Sequence, residues 1–134
     1  MAKTIQQSVT FSAPPGRLFE MYMDAKKHGA AVGSKVTISR RAGGAFSAFN
    51  GMIGGRNLAV LPKRLIVQAW RSGNWKATES DSILILTFSK APGGGRVDMV
   101  HANVPDSAYG SIKDGWNTHY WRPWKAYLKK GGGR

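Results

Sequence analysis

Apolar and polar residues alternate strictly at the start of this chain. Residues 4–11 follow a period of two, which predicts a half-buried β-strand. Two prolines end the strand, and apolar residues then recur at helical spacing over residues 17–23, with proline in the first turn of the predicted helix. A second short helix is predicted over residues 24–32, and Gly33 ends it.

Short apolar runs separated by turn residues fill the middle of the chain. They predict six further strands, over residues 35–39, 45–49, 52–61, 65–71, 82–88 and 96–104. Asn50-Gly51 is a strong signal for a two-residue hairpin turn between two of these strands. Successive hairpin strands favour an antiparallel sheet.

The period becomes helical again over residues 106–130. Pro123 lies inside this segment and has no N–H to donate, so we expect a kink near Trp121. One long helix covering a curved sheet leaves space between them, and that space is a natural place for a ligand. The helix carries an apolar and aromatic stripe at spacing four: Ile112, Trp116, Tyr120, Trp124 and Leu128.

The charge balance is strongly basic. Twenty Lys and Arg against seven Asp and Glu give a net charge of +13, which attracts nucleic acid, anionic membrane surfaces, acidic proteins or anionic small molecules. Residues 121–130 interleave basic and aromatic side chains as a nucleic-acid site would. Their aromatic residues, however, belong to the face that is predicted to pack on the sheet. A solvated basic helix face is the simpler interpretation, and we expect no nucleic-acid partner.

Composition narrows the class of protein further. The chain has no cysteine, which excludes disulfide scaffolds and thiolate chemistry. Its longest apolar run, residues 83–86, is far too short for a transmembrane segment, and its first residues do not resemble a signal peptide. We expect a cytoplasmic protein with one domain over residues 1–134 and an ordered core over about 4–130.

Several motifs carry a resemblance to a known family. Phe11-Ser12-Ala13-Pro14-Pro15, Gly43-Gly44-Ala45-Phe46, Ile66-Val67-Gln68-Ala69-Trp70-Arg71 and His101-Ala102-Asn103-Val104-Pro105 occur in order, followed by Gly115-Trp116 in the last helix. Together they resemble the activator-of-heat-shock-protein-90-ATPase-like family of the START-like (SRPBCC) superfamily. The resemblance implies an α+β helix-grip fold: a curved antiparallel sheet of about six or seven strands around a long C-terminal helix, with two short helices after the first strand.

The resemblance also implies a function. In this superfamily the space between sheet and helix holds apolar or amphipathic small molecules, so we expect a non-catalytic domain that binds such a ligand. One alternative is a chaperone-associated, co-chaperone-like module that binds an acidic protein, although the co-chaperones that name the family carry a separate N-terminal domain. A second alternative is a cyclase-like or hydrolase-like enzyme that uses the same cavity.

The phasing of the strands in similar proteins identifies cavity candidates. It turns four strand residues inward, and the helix stripe faces them. Plain core packing is the competing interpretation for every member of this set. The predicted ligand-binding residues are Trp70, Phe88, Met99, His101, Ile112, Trp116 and Tyr120.

Candidate catalytic and metal-binding residues are few. His101 on an inward face could orient a ligand or act as a general base, but a hydrogen-bonded core histidine is the simpler interpretation. His119 is expected on a helix flank and His28 in a loop. The three histidines lack metal-ligand spacing, no carboxylate pair is evident, and Gly93-Gly94-Gly95-Arg96 lacks the Lys-Ser/Thr of a phosphate-binding loop. We therefore expect no metal, no cofactor and no catalytic residue.

Overall fold

The computed structural model describes residues 2–132, so residues 1, 133 and 134 of the predicted domain lie outside the described residues. The strands are β1 (Ala2–Phe11), β2 (Thr37–Ile38), β3 (Ala45–Ala48), β4 (Ile53–Leu61), β5 (Leu65–Ser72), β6 (Ser82–Ala91) and β7 (Gly94–Pro105). The helices are α1 (Pro15–Met23), α2 (Ala25–Val32), α3 (Asp106–Trp116) and α4 (Arg122–Lys129), and a π-helical segment, Asn117–Trp121, joins α3 to α4.

The strands form one antiparallel sheet in the order β1-β7-β6-β5-β4-β3-β2. Helix α1 packs against β6 and β7, α3 packs against β1 and β7, and α2 packs against α4. The core between these layers is built from the inward side chains of the sheet and the aromatic stripe of the C-terminal helix. The predicted α+β helix-grip architecture is therefore confirmed.

The hairpin turn between β3 and β4 lies where the sequence predicts it but is longer. Ala48 pairs with Ile53, so four residues, 49–52, make the connection instead of two. Phe49 and Asn50 both adopt left-handed backbone conformations, with φ of 53° and 57°. A phenylalanine with positive φ is uncommon and costs conformational energy. The packing around this turn therefore has to hold it in place.

The break in the C-terminal helix takes the form of a π-helical segment. It lies at the position of the predicted kink and ends two residues before Pro123. The N–H of Arg122 donates to the carbonyl of Asn117, which is the five-residue spacing of a π-helix. Since Pro123 has no N–H, the α-helical register is already lost there. The wider turn accommodates an extra residue, and both Tyr120 and Trp121 are buried.

Gln7 of β1 fastens this irregular segment to the sheet. Its Oε1 accepts a hydrogen bond from Trp121 Nε1 at 2.7 Å, and its Nε2 donates to the carbonyl of Lys113 at 3.2 Å. The alternation in β1 places Gln7 on the same face as Ile5 and Val9. This polar residue on the apolar face therefore satisfies a buried donor of the helix.

We predict that Gln7→Ala lowers the free energy of unfolding by about 1–3 kcal/mol, because it leaves the indole N–H of Trp121 buried without an acceptor. Trp121 is only 4% exposed, and Gln7 is the acceptor of its indole N–H. Urea denaturation measures the effect. Gln6→Ala is the matched control, since Gln6 is the exposed neighbour and its loss should change stability by less than about 0.5 kcal/mol. Equal losses in the two variants would contradict this role for Gln7.

Candidate functional site

A cavity of about 350 Å³ lies between the sheet and the first half of the C-terminal helix. The ends of β4 and β5 and the turn at residues 49–52 form one side, and α3 with the π-helical segment forms the other. Met52, Ser111 and His119 are exposed, so the cavity is open to solvent along this rim. The complete lining is Phe49, Met52, Ile53, Trp70, Ser72, Ser111, Ile112, Gly115, Trp116, His119 and Tyr120.

Four of the seven predicted cavity residues line this space: Trp70, Ile112, Trp116 and Tyr120. Phe88, Met99 and His101 face inward as predicted but are buried in the core and do not line the cavity. Phe88 is covered by Phe19 of α1, whose ring packs edge-on at a centroid distance of 5.6 Å. A ligand-binding role for the seven residues stays a prediction.

The other seven lining residues are not among the sequence candidates. On the helix, Ser111, Gly115 and His119 each precede a residue of the predicted stripe by one position, so they form a parallel row at the same spacing. On the sheet side, Phe49 and Met52 flank the predicted turn. The helical spacing could have identified the row of Ser111, Gly115 and His119. No sequence signal indicates which turn lies against the helix.

Both ring nitrogens of His101 are committed to core hydrogen bonds. Trp116 Nε1 lies 3.1 Å from His101 Nδ1, and because an indole nitrogen only donates, Nδ1 must be the acceptor. The protonated Nε2 donates to Ser82 Oγ at 2.8 Å, and that hydroxyl donates to the carbonyl of Trp70 at 2.7 Å. Burial lowers the pKa of His101 to about 3. His101 is the hydrogen-bonded core histidine of the simpler interpretation, with no nitrogen free to act as a base.

The prediction that His28 lies in a loop is wrong, because His28 belongs to α2 and is buried. Its Nδ1 donates to the carbonyl of Tyr22 at 2.8 Å, and its Nε2 accepts from the Tyr120 hydroxyl at 2.9 Å. Burial lowers the pKa of His28 to about 4 and raises the pKa of Tyr120. The side chain of Asp24 caps α2 by accepting from the backbone N–H of Lys27, which satisfies one of the free N–H groups at the start of this short helix.

A further chain of buried polar groups crosses the sheet. The Tyr22 hydroxyl donates to Gln68 Oε1 at 2.8 Å, and Gln68 Nε2 donates to Asn57 Oδ1 at 2.9 Å. Asn57 Nδ2 then donates to the backbone carbonyls of Ser39 and Arg41. Burial raises the pKa of Tyr22 well above its usual value. Because these groups satisfy one another, they hold the core together rather than face the cavity.

The polar groups that do line the cavity are few. The hydroxyl of Ser72 donates to Asn74 and that of Ser111 donates to the carbonyl of Ala108. Within residues 2–132, no three His, Asp or Glu side chains are grouped closely enough to hold a metal ion. Across the same residues, no helix has the length and apolar character needed to cross a bilayer. Because few polar groups line the cavity, its walls are mainly aromatic and aliphatic.

Comparison with known proteins gives a family match over most of the chain. The family described as Activator of Hsp90 ATPase homolog 1-like protein matches residues 12–129. A protein of Dictyostelium discoideum named Activator of 90 kDa heat shock protein ATPase homolog is 29% identical over 115 residues, which cover 85% of this chain and 30% of that protein. An uncharacterized protein of Schizosaccharomyces pombe is 28% identical over 121 residues, with coverage of 90% and 36%. The chain thus spans about a third of the length of these curated relatives.

Solved structures give the same fold at lower identity. An HSP90 activator from Plasmodium falciparum matches with a TM-score of 0.83 at 23% identity, covering 96% of this chain and 96% of that chain. The Aha1 dimer from Colwellia psychrerythraea matches with a TM-score of 0.79 at 12% identity, covering 94% of this chain and 96% of that chain. At these identities the likeness establishes the architecture.

We predict that acid destabilises the fold, because two histidines are buried in it. The pKa of each is lowered from about 6.5, to about 4 for His28 and about 3 for His101, so the unfolded chain binds more protons in that range. Their contribution to stability is complete above pH 6.5 and is lost as the pH falls toward these folded values. Lowering the pH from about 7.5 to 5.5 should reduce the free energy of unfolding by about 2–3 kcal/mol. Urea denaturation at each pH measures it.

Substitution of the two histidines separates this effect from general acid sensitivity. His28→Gln and His101→Gln should each remove about half of the pH-dependent decrease in the free energy of unfolding. This holds whatever the stability of each variant at neutral pH. His119→Gln, which changes the exposed histidine, should keep the full loss. A double variant, His28→Gln with His101→Gln, that retained the parent pH dependence would contradict the assignment.

Proposed function

We propose that this chain, which belongs to the Activator of Hsp90 ATPase homolog 1-like protein family, is a non-catalytic binding domain for an apolar or amphipathic small molecule. The observation that carries the proposal is the cavity of about 350 Å³ between the sheet and the C-terminal helix. Its volume falls at the lower end of the range for small-molecule sites. The ligand class it suits is compact and flat, with few polar groups.

The aromatic walls support this ligand class. The rings of Trp116 and Tyr120 lie 4.7 Å apart between centroids, and Trp70 and Trp116 lie 6.5 Å apart at an interplanar angle of 34°. Such neighbouring ring faces favour stacking of a flat ligand. Met52 at the rim adds an unbranched and adaptable side chain that can follow ligands of different shape.

The walls are also rigid before any ligand arrives. The indole of Trp116 is fixed by its hydrogen bond to His101, and the hydroxyl of Tyr120 is fixed by its hydrogen bond to His28. A site whose side chains are already ordered loses less conformational entropy on binding. His101 therefore supports the cavity as a positioning residue, although it does not line it.

We expect Gly115→Leu to lower the affinity for the uncharged dye N-phenyl-1-naphthylamine at least about tenfold, because the new side chain fills the cavity rim. A Cβ at Gly115 would lie 3.6 Å from the ring of His119, which is an ordinary contact. Gly115 lines the cavity and belongs to α3, so leucine there should also raise helix stability by about 0.8–1 kcal/mol. Dye fluorescence measures the binding, and native mass spectrometry of the purified protein shows any ligand that co-purifies.

The matched control is Gly110→Leu on the same helix. No atom lies within 4 Å of a Cβ placed on Gly110, and Gly110 does not line the cavity, so this variant gains the helix propensity and should bind the dye normally. Because the dye is uncharged, its affinity should not change with salt. Absence of dye binding to the parent protein, or equal binding by the two leucine variants, would overturn the proposal.

A second candidate function is association with a chaperone of the Hsp90 class. Family membership and the relative named as an activator of the 90 kDa heat shock protein ATPase support it, and the net charge of +13 suits an acidic partner. The catalytic alternative needed His101 or another inward polar group beside the open cavity. Both ring nitrogens of His101 are committed to core hydrogen bonds, so we do not propose it.

Salt dependence separates the two binding functions. Association with purified Hsp90, measured by calorimetry together with the ATPase rate of Hsp90, should weaken steeply as ionic strength rises if the basic surface carries it. Gly115→Leu should leave this association unchanged while it lowers the affinity for the dye. Absence of any association at low salt would exclude the second candidate and leave the cavity proposal standing.

A further inference from the structure

Four segments of the chain meet at the end of the molecule away from the cavity. The aliphatic part of Lys63, in the turn between β4 and β5, lies 3.4–3.6 Å from a Cβ placed on Gly16 at the start of α1. Next to it, Arg17 donates a hydrogen bond to the carbonyl of Gly132, just after α4. Gly95, beside the turn between β6 and β7, lies directly against the backbone of residues 13–15.

We call this end the basic pole, because each of the four segments contributes cationic side chains and none contributes an acidic one. The sequence has no Asp or Glu within residues 12–18, 58–66, 88–96 or 124–132. The ion pairs of Glu20, Asp81 and Asp98 lie outside the pole or on its border. Apart from Arg17, the cations of these segments are exposed, and Arg96 among them is paired with Asp98. The exposed cations are Lys63, Arg64, Lys90, Arg96, Lys125, Lys129 and Lys130.

Two large apolar side chains stand beside these charges. Leu58 is 44% exposed and Leu61 is 52% exposed. Leu61 is the last residue of β4 and begins the turn that carries Lys63 and Arg64. Exposed leucines next to lysines form the combination that binds the lipid–water interface, since the apolar side chains enter the acyl boundary and the cations face the anionic headgroups.

We propose that the basic pole docks on an anionic lipid surface. Single-stranded nucleic acid is the less suitable occupant, because surfaces that bind it expose aromatic rings on which the bases stack. Here Trp121 and Trp124 are buried against the sheet, and Tyr127 is half-buried, with its ring against Gly132. Leu58 and Leu61 would add nothing to contacts with phosphates, whereas a bilayer uses both the leucines and the cations.

The pole is separate from the cavity. Strand β4 begins at Ile53, which lines the cavity, and ends eight residues later at Leu61, a distance of about 26 Å at 3.3 Å per residue. Docking through the pole therefore leaves the cavity rim away from the bilayer and accessible from solution. Changes at the pole should not alter dye binding, and changes at the cavity should not alter docking.

Co-sedimentation with phosphatidylcholine vesicles, with and without phosphatidylserine, tests the proposal. The parent protein should bind the phosphatidylserine vesicles, bind pure phosphatidylcholine weakly, and dissociate as salt rises. Each cation at the surface contributes about fivefold in affinity, so Lys63→Glu with Arg64→Glu should reduce binding by at least about 25-fold. Leu61→Ser should reduce it severalfold.

Two matched variants serve as controls. Lys26→Glu with Lys35→Glu makes the same change of net charge at exposed lysines outside the four segments of the pole and should lose much less binding. Met52→Ser removes an equally exposed side chain, at 54%, from the cavity rim and should bind vesicles normally. Retained binding of N-phenyl-1-naphthylamine shows that each pole variant is folded.

The outcomes decide between occupants of the pole. No binding of the parent to phosphatidylserine vesicles, or equal losses in the pole variant and its charge-matched control, would overturn the proposal. Equal binding of single-stranded RNA by the parent and by Leu61→Ser, with no vesicle binding, would assign the pole to nucleic acid instead. Because dye binding is measured separately, absence of vesicle binding would not contradict the proposed function of the cavity.

Discussion

The hydrogen bond from the Trp116 indole to His101 joins the C-terminal helix to β7, the second strand of the sheet, and the surrounding structure depends on it. It fixes the position of Trp116, whose ring stacks on Trp121 at 5.4 Å and packs against Tyr120 at 4.7 Å. His28 holds Tyr120 from the other side. A large aromatic helix face is thus seated on the sheet, with the polar atoms of Trp116, Tyr120 and Trp121 paired. The cavity is the space that these rings leave open toward the turn at residues 49–52.

Much of the fold could be predicted because local periods decide it. Strict alternation in β1, hairpin spacing in the middle of the chain and a stripe at spacing four in the last helix each indicate one element. The form of the break before Pro123 could not be predicted. Loss of one N–H favours either a kink or a π-helical turn. The turn that forms places Trp121 against its acceptor Gln7, which lies more than a hundred residues away in the sequence.

The candidate site was predicted in part for a related reason. Alternation indicates which side of a strand faces inward, but not what covers it. Trp70 and Trp116 reach the cavity, whereas His101 lies beneath them with its ring centroid 4.6 Å from that of Trp70. The inward position of His28 follows from its contact with Tyr120, 92 positions later, and local sequence carries no record of such a pair.

The central claim is that the rings of Trp70 and Trp116 form the walls of a binding site and are not a closed core. Amide and indole NMR spectra recorded while N-phenyl-1-naphthylamine is added test it most directly, because each tryptophan gives its own indole signal. We expect the signals of Trp70 and Trp116 to shift and saturate. The signal of Trp124, which is fully buried and does not line the cavity, should stay in place. Unchanged Trp70 and Trp116 signals at saturating dye would contradict it.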